Sequence, residues 1–95
     1  MTKGYLYFLS NATRTILHVG ATKNLVNGIR LHEKGRGSKF TKKHHLKFLM
    51  YYEEFEDISN AYVREKQIKN WHKDWKWNLI KKVNPDLQDL STRLK

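Results

Sequence analysis

Two short runs of aromatic and bulky apolar residues near the start of the chain constrain the fold most. They span residues 4–9 and 15–20, with turn-forming polar residues between them. Each run is long enough for one strand, so the pair predicts a β-hairpin. Because side chains alternate along a strand, Tyr7 lies on one face of the first strand, and His18 shares a face of the second strand with Gly20. The hairpin therefore places a phenol and an imidazole on neighbouring strands near a closing glycine.

The length and composition of the chain limit the class of protein. Its 95 residues allow one domain with one modest core. Cysteine is absent, which excludes a disulfide framework and a thiolate zinc site. The sequence begins without the pattern of a secretory signal, and no apolar stretch reaches membrane-spanning length. We therefore expect a soluble intracellular monomer with no membrane partner.

The charge of the chain is strongly positive and unevenly distributed. Lysine and arginine total 19 against 9 acidic residues, which gives a net charge of +10. Such a field on a small domain favours a polyanionic partner, although a basic surface can also serve solubility alone. Between residues 23 and 47 Glu33 is the only acid, whereas acids cluster at residues 53–57, and this segregation predicts a basic face. The residues that we expect to bind nucleic acid are Lys23, Arg30, Arg36, Lys39, Phe40, Lys42 and Lys43.

Phe40 follows a basic, glycine-containing loop at residues 35–39. An aromatic side chain among cations suits phosphate contact combined with stacking on a base or sugar. The alternative is that Phe40 packs into the core beneath a solvated loop. The sequence leaves both interpretations open.

The segment after the hairpin predicts a helix over residues 23–34. Thr22 or Asn24 can cap it, and its inner stripe includes Ile29 and His32. Gly28 lies on the same side, one turn before His32. Glycine inside a helix costs about 1 kcal/mol relative to alanine. Its presence indicates close packing of the backbone or the loss of a larger residue.

The second half of the chain predicts a third strand and further helical structure. Residues 46–53 are mostly apolar, which indicates a central or well-covered strand. A helix is predicted over residues 60–71, with Asp57 or Ser59 as its N-cap, and Glu65 falls on its buried stripe. A glutamate is rarely buried without a partner, so Glu65 requires a cation, a metal ion or a hydrogen-bond network. Trp71 and Trp75 continue the stripe, and they are either core residues or a platform for base stacking.

The chain divides into a domain over residues 1–83 and a short tail over residues 84–95. Asn84-Pro85 ends the last predicted helix. The tail is polar, and its leucines at positions 87, 90 and 94 can dock back onto the domain.

An ordered set of motifs over nearly the whole chain resembles the GIY-YIG endonuclease family. The likeness is closest to its small single-domain bacterial members, which are related to the nuclease module of the bacterial excision-repair endonuclease. It implies an α+β fold with a small three-stranded antiparallel sheet flanked by helices. The matching motifs are Tyr5-Leu6-Tyr7, His18-Val19-Gly20, a helix with His32, Phe40-Thr41-Lys42-Lys43, Tyr51-Tyr52-Glu53-Glu54-Phe55, residues 61–69 and Asn84-Pro85.

The resemblance implies hydrolysis of a DNA phosphodiester with one divalent metal ion, Mg²⁺ or Mn²⁺. RNA is not excluded as a partner. Tyr7, His32 and Glu65 match family positions, and Glu65 matches the metal-binding glutamate. His18 stands where the family has the tyrosine usually proposed as the general base, and Gly28 stands where it has a helix arginine that steadies phosphate charge. The resemblance also implies a bacterial-type cytoplasmic protein, with nucleoid association and a role in DNA repair as further expectations.

The two departures bear differently on catalysis. An imidazole, with an ordinary pKa near 6.5, is a better base at neutral pH than a phenol near 10. Glycine, in contrast, supplies no charge for the transition state. Arg30 points away on the helix, and the sequence does not indicate whether Arg14, Lys23 or Arg36 replaces the missing arginine.

Three hypotheses follow. The first is a metal-dependent DNA endonuclease. The second is a catalytically weak or inactive nucleic-acid-binding module on the same fold. The third is a transition-metal site, such as a zinc site, formed by His18, His32 and Glu65.

Overall fold

The computed structural model of the chain describes residues 2–94 as a three-stranded antiparallel sheet with helices packed on it, which confirms the predicted α+β class. The strands lie in the order β2–β1–β3. The elements are β1 (Gly4–Ser10), β2 (Leu17–Thr22), α1 (Leu25–Glu33), α2 (Lys39–His44), β3 (Phe48–Phe55), α3 (Ile58–Lys69), α4 (Lys73–Val83) and a 3₁₀ turn (Leu90–Arg93).

The predicted hairpin is confirmed, with β1 and β2 paired so that Tyr7 lies opposite Gly20. β2 begins two residues later than predicted, because the connection is held by a side chain. The Asn11 Oδ1 atom accepts hydrogen bonds from the backbone N–H groups of Thr15 at 2.9 Å and Ile16 at 3.1 Å. These residues therefore belong to the turn and not to the strand.

The central strand of the sheet is β1. The third strand, β3, is therefore not central, and the other predicted alternative, a well-covered strand, is the one that the structure shows. β3 pairs with β1 alone and forms one edge of the sheet. Its apolar character comes from its cover, because α3, α4 and the 3₁₀ turn pack against it. Leu49 and Met50 are fully buried under these elements.

The two faces of the sheet carry two apolar clusters, as strand alternation requires. Leu6 and Phe8 of β1 pack with Ile68 of α3 and Ile80 of α4 on one face. The other face holds Tyr7, Leu9, Leu25, Ile29, Leu46, Leu49 and Leu90, so α1 and the C-terminal turn cover the side on which Tyr7 lies.

The helices differ from the predictions at three points. α2 was not predicted; it begins after Ser38, whose Oγ accepts from the Thr41 N–H at 3.2 Å. α3 begins at Ile58, two residues earlier than predicted, and Asp57 is the one of its two predicted N-caps that the structure confirms. The chain then breaks between α3 and α4, so Trp71 lies outside both helices and the predicted continuous helical stripe is wrong. The ring of Trp71 still contacts that of Trp75, with centroids 6.4 Å apart, and it packs against the apolar core. Trp75 is 57% exposed, so it is not a core residue.

The C-terminal segment docks back onto the domain as predicted. Leu87 packs against one cluster, and Leu90 and Leu94 pack against the other. Buried Asn84 donates hydrogen bonds to the carbonyl oxygens of Met50 at 3.0 Å and of Gln88 at 2.9 Å. Within residues 2–94 no helix is long and apolar enough to cross a membrane.

Candidate active site

Tyr7 lies at the middle of the central strand and covers Gly20 of β2. A Cβ atom added at Gly20 would lie 2.5 Å from the Tyr7 hydroxyl oxygen. Real Cβ atoms essentially never lie that close to another atom, so any larger residue opposite Tyr7 would force the phenol to shift. The close approach presses the phenol along the sheet surface and holds its hydroxyl in one place.

A hydrogen-bonded chain joins Tyr7 to α1 and α2. The Tyr7 hydroxyl lies 3.2 Å from His32 Nε2, and His32 Nδ1 lies 2.9 Å from Thr41 Oγ1. Thr41 Oγ1 donates its own proton to the Ser38 carbonyl oxygen at 3.0 Å, so it accepts from His32 Nδ1–H. His32 Nε2 is then the acceptor, and the Tyr7 hydroxyl is the donor. The chain thereby fixes both the tautomer of His32 and the direction of the Tyr7 proton.

Gly37 allows the bond between His32 and Thr41 to form. A Cβ atom at Gly37 would overlap His32 Nδ1 and would lie 2.7 Å from Thr41 Oγ1. The glycine-containing loop therefore shapes this site in addition to carrying positive charge.

His18 completes a cluster of three rings. Its ring centroid lies 6.2 Å from that of Tyr7 and 5.5 Å from that of His32, so the structure brings together these three residues singled out in the sequence. Within residues 2–94 the His18 ring makes no hydrogen bond. Burial, the nearby His32 and the positive charge of Lys69 lower the pKa of His18 to about 4. His18 is therefore neutral at pH 7, and it has a nitrogen lone pair that can accept a proton.

The other two rings are also neutral. Burial, helped by the negative charge of Glu65, raises the pKa of Tyr7 to about 12. Burial lowers the pKa of His32. The cluster thus holds one phenol and two uncharged imidazoles at pH 7, and desolvation is the first cause of each shift.

Glu65 lies on α3, with its side chain only 19% exposed. The partner that its position requires is Lys69, whose Nζ lies 3.0 Å from Glu65 Oε2. Within residues 2–94 no group of three or more His, Asp or Glu side chains is arranged to hold a metal ion, so the predicted transition-metal site of His18, His32 and Glu65 is wrong. A lone carboxylate fits Mg²⁺ better, since that ion keeps several waters and is commonly bound by one or two carboxylates.

Because residue 28 is glycine, α1 has no positively charged side chain at the position of the family's helix arginine. A Cβ atom there would meet Thr22 Oγ1 at 3.3 Å, so a side chain fits only if Thr22 shifts by a few tenths of an ångström. Arg14 does not replace the charge, because its guanidinium donates to the carbonyl oxygens of Asn11 and Leu87.

Lys23 and Arg36 border depressions whose lining does not include the three rings. Lys23 borders a depression with Tyr5 and Glu54. Arg36 shares a separate depression with Arg30. Within residues 2–94 no hydrogen bond, ion pair or ring contact joins Arg14, Lys23 or Arg36 to the three rings.

The predicted nucleic-acid-binding residues are all exposed. Phe40 is 47% exposed and contacts the ring of His44, with centroids 4.8 Å apart, so it is not a core residue. Its neighbours Lys39, Lys42 and Lys43 project from the short helix α2. The DNA-binding role of this surface remains a prediction.

Sequence reasoning missed three residues of the site. Thr41, Gly37 and Lys69 orient or contact the residues singled out. Lys69 could have been found, because it lies four residues after Glu65, at the spacing of a helical ion pair. Thr41 lies in a motif that matches the family, but its role and that of Gly37 depend on a contact between two elements, which no single segment indicates.

Comparison with known proteins agrees with the geometry. The family model described as the GIY-YIG catalytic domain matches residues 3–78. A UPF0213 protein of Pediococcus pentosaceus is 30% identical over 90 residues, covering 95% of each chain. UPF0213 proteins of Syntrophus aciditrophicus and Staphylococcus haemolyticus are each 34% identical and cover 90% and 84% of this chain and 98% and 96% of their own.

No solved structure shows a significant match. Nucleases with a GIY-YIG domain are generally metal-dependent and act on DNA. The family match and the small relatives together show that this chain belongs to the GIY-YIG family, among proteins of the UPF0213 group.

Proposed function

We propose that the protein is a metal-dependent DNA nuclease that hydrolyses phosphodiester bonds at the cluster of Tyr7, His18 and His32. The observation that carries the proposal is the hydrogen-bonded chain from Tyr7 through His32 to Thr41, beside a neutral His18. A rigid array of this kind can position an attacking water, and the unprotonated imidazole can accept its proton, although the lowered pKa makes it a weaker base than an ordinary imidazole.

His18 acts as the general base. Its free nitrogen takes a proton from the attacking water while the water oxygen bonds to phosphorus and the phosphorus–oxygen ester bond breaks. The leaving oxygen then takes a proton from solvent. Because Tyr7 donates its own proton to His32, its oxygen lone pairs are available to accept a hydrogen bond from that water.

Glu65 is the residue that would hold the metal ion, Mg²⁺ or Mn²⁺. A divalent cation there would neutralise negative charge that develops on the phosphate. The low exposure of the Glu65 side chain, and its influence on the pKa of Tyr7, support a position at the edge of the cluster.

The basic surface would bind the DNA backbone. Its cations are exposed, and those of α2 lie on the helix that carries Thr41, so backbone contacts there would be directly linked to the site. The phosphate backbone of RNA is an alternative ligand for the same surface. A DNA substrate would place the activity at the bacterial nucleoid, where cleavage of irregular DNA would serve repair.

The test is a cleavage assay on branched, nicked and flapped DNA with Mg²⁺ or Mn²⁺. We expect wild type to cut and Glu65→Gln to lose at least 10²-fold in rate, because removing one electrostatic contact to a transition state commonly costs that much. Glu56→Gln is the matched control, since Glu56 is exposed and lies outside the cluster. Wild-type protein that leaves every substrate intact with both metals would refute the proposal.

A second candidate function is a nucleic-acid-binding module without efficient catalysis. The absence of a cation at Gly28 favours it. This function predicts DNA binding that weakens steeply with salt, with no cleavage by wild type. The same assay therefore separates the two candidates.

A further inference from the structure

The ring of Phe40 is held at the surface of α2. It is 47% exposed and belongs to neither apolar cluster of residues 2–94, so packing of the core does not account for its presence. The ring lies against that of His44, with centroids 4.8 Å apart and planes inclined at 57°. Residues four apart share one side of a helix, so the two rings restrain each other. Phe40 thus offers an aromatic surface to a ligand at a reduced cost in side-chain entropy.

Three lysines share α2 with Phe40. Lys39, Lys42 and Lys43 are all exposed, and the helix contains no acidic residue. Lys43 is three residues after Phe40, on the same side of the helix, and Lys39 is four residues before Lys43. Like charges at this spacing repel each other, so a polyanion would stabilise the arrangement. α2 therefore combines cations for phosphates with an aromatic ring for a base.

The aromatic ring can stack only on a base whose face is open. In a duplex each base is covered on both faces by its neighbours, whereas a single strand can present its bases to the protein. Phenylalanine has no hydrogen-bonding group in its side chain, so stacking on it would accept any base and read no sequence. Binding to a duplex backbone would use the lysines and not Phe40. The surface therefore fits a single strand better than a duplex.

α2 is joined directly to the cluster of rings that contains Tyr7. Thr41, the residue after Phe40, has its Oγ1 atom 2.9 Å from His32 Nδ1, and His32 Nε2 lies 3.2 Å from the Tyr7 hydroxyl oxygen. One peptide step of about 3.8 Å and these contacts limit the distance from the Phe40 backbone to the Tyr7 hydroxyl to roughly 15 Å. A stacked strand, at about 3.4 Å per nucleotide, covers that length in about five nucleotides. A base on Phe40 would therefore bring its own strand within reach of the proposed cleavage site.

We propose that Phe40 stacks on an unpaired base of single-stranded DNA, which makes DNA with an unpaired segment the substrate class of the proposed nuclease. The lysines of α2 bind phosphates of the same strand. The inference rests on the proposed function for the cleavage step, whereas the binding step is measured without it.

Binding is measured in EDTA by fluorescence anisotropy, with a DNA single strand that forms no hairpin and with the duplex of the same sequence. The test variant is Phe40→Leu, which keeps an apolar side chain but removes the ring. We expect the single strand to bind about 5- to 150-fold more weakly, the range for one base stacked on an aromatic ring, and the duplex to lose much less. Phe40→Trp should bind the single strand at least as tightly as wild type, because it keeps an aromatic face.

Two controls separate stacking from charge and from a general effect of the surface. Tyr62→Leu removes an aromatic ring that is 49% exposed on α3, and it should leave both affinities unchanged. Lys43→Met removes one cation of α2, so it should weaken binding of both DNAs and reduce the slope of log K against log salt by about 0.7 to 0.9. Phe40→Leu should leave that slope as it is in wild type. Thermal unfolding confirms that each variant is folded.

The outcome for Phe40→Leu decides the proposal. Equal losses of affinity for the single strand and the duplex, or no loss for the single strand, would overturn it. A loss seen only with single-stranded RNA of the same sequence would also overturn it, because the surface would then belong to a different nucleic acid.

Cleavage is measured next, with Mg²⁺ and with Mn²⁺. We expect wild type to cut DNA with an unpaired segment at least about tenfold faster than an uninterrupted duplex, and Phe40→Leu to lose most of that preference. Wild type that cuts both substrates at one rate would overturn the substrate class and leave the proposed nuclease in place. If wild type cuts neither, the proposed function fails, and the binding experiment alone decides whether Phe40 stacks on DNA.

Discussion

We predict that the free energy of unfolding decreases in acid because of His18. The size of this decrease follows from how far burial lowers the pKa of the ring. In the unfolded chain His18 has an ordinary pKa near 6.5, whereas in the folded protein the pKa is lowered to about 4. Above pH 6.5 both states leave the ring neutral, and it has no effect on stability. Between pH 6.5 and 4 only the unfolded state binds the proton, so the free energy of unfolding decreases as the pH falls.

The magnitude is about 2 kcal/mol at pH 5 and about 3 kcal/mol at pH 4, from 1.36 kcal/mol per pKa unit. Urea denaturation at pH 7, 6 and 5 measures it, in a range where carboxylates contribute little. We expect His18→Gln to remove most of the loss seen in wild type. The lowered pKa of His32 leaves a residual loss of the same sign.

His72→Gln is the control, because His72 is exposed at the start of α4. It should keep the pH dependence of wild type. If His18→Gln loses as much stability between pH 7 and 5 as wild type does, the buried neutral state of His18 is refuted, and with it the assignment of this ring as an unprotonated base at pH 7.

Three further substitutions test the packing around the site. Gly20→Ala should lower the free energy of unfolding by about 1–3 kcal/mol, because its Cβ would lie 2.5 Å from the Tyr7 hydroxyl; a urea midpoint equal to that of wild type would contradict this. Asn84→Ala should cost about 1–3 kcal/mol in the same assay, since it leaves buried backbone groups unpaired, and a loss below 0.5 kcal/mol, on the order of an ordinary surface substitution, would count against it. Gly28→Arg should raise the midpoint, because removing a helix glycine gains about 1 kcal/mol, provided that Thr22 shifts by a few tenths of an ångström; a lower midpoint would show that Thr22 cannot move.

The sequence was informative where chemistry is local. Strand alternation placed Tyr7 and His18 on neighbouring strands near Gly20, and the pairing of Tyr7 with Gly20 confirms it. Thr22 and Asn24 were the two predicted caps of α1, and Asn24 is the one whose Oδ1 accepts from the Asn27 N–H, at 3.1 Å. Strand alternation and helix capping are set by residues close together in the chain, so a short segment of sequence is enough to predict them.

The sequence was uninformative where two elements meet. α2 was missed because its short basic segment has no apolar stripe, and the helix forms around the Ser38 cap and buried Thr41. Trp75 was assigned to a stripe that exists only if α3 and α4 are continuous. The edge position of β3 could not be read from its apolar residues, because burial beneath α3, α4 and the C-terminal turn has the same sequence pattern as a central strand.

The catalytic role of His18 is tested most directly by single-turnover DNA cleavage. Wild type is compared with a variant carrying His18→Tyr and Gly28→Arg, which restores the family residues at both positions. Both proteins are assayed at pH 7 with Mg²⁺ and with Mn²⁺. We predict that wild type cuts, because neutral His18 serves as the base. Cleavage by the double variant alone would contradict this mechanism and would identify the natural protein as a DNA-binding module.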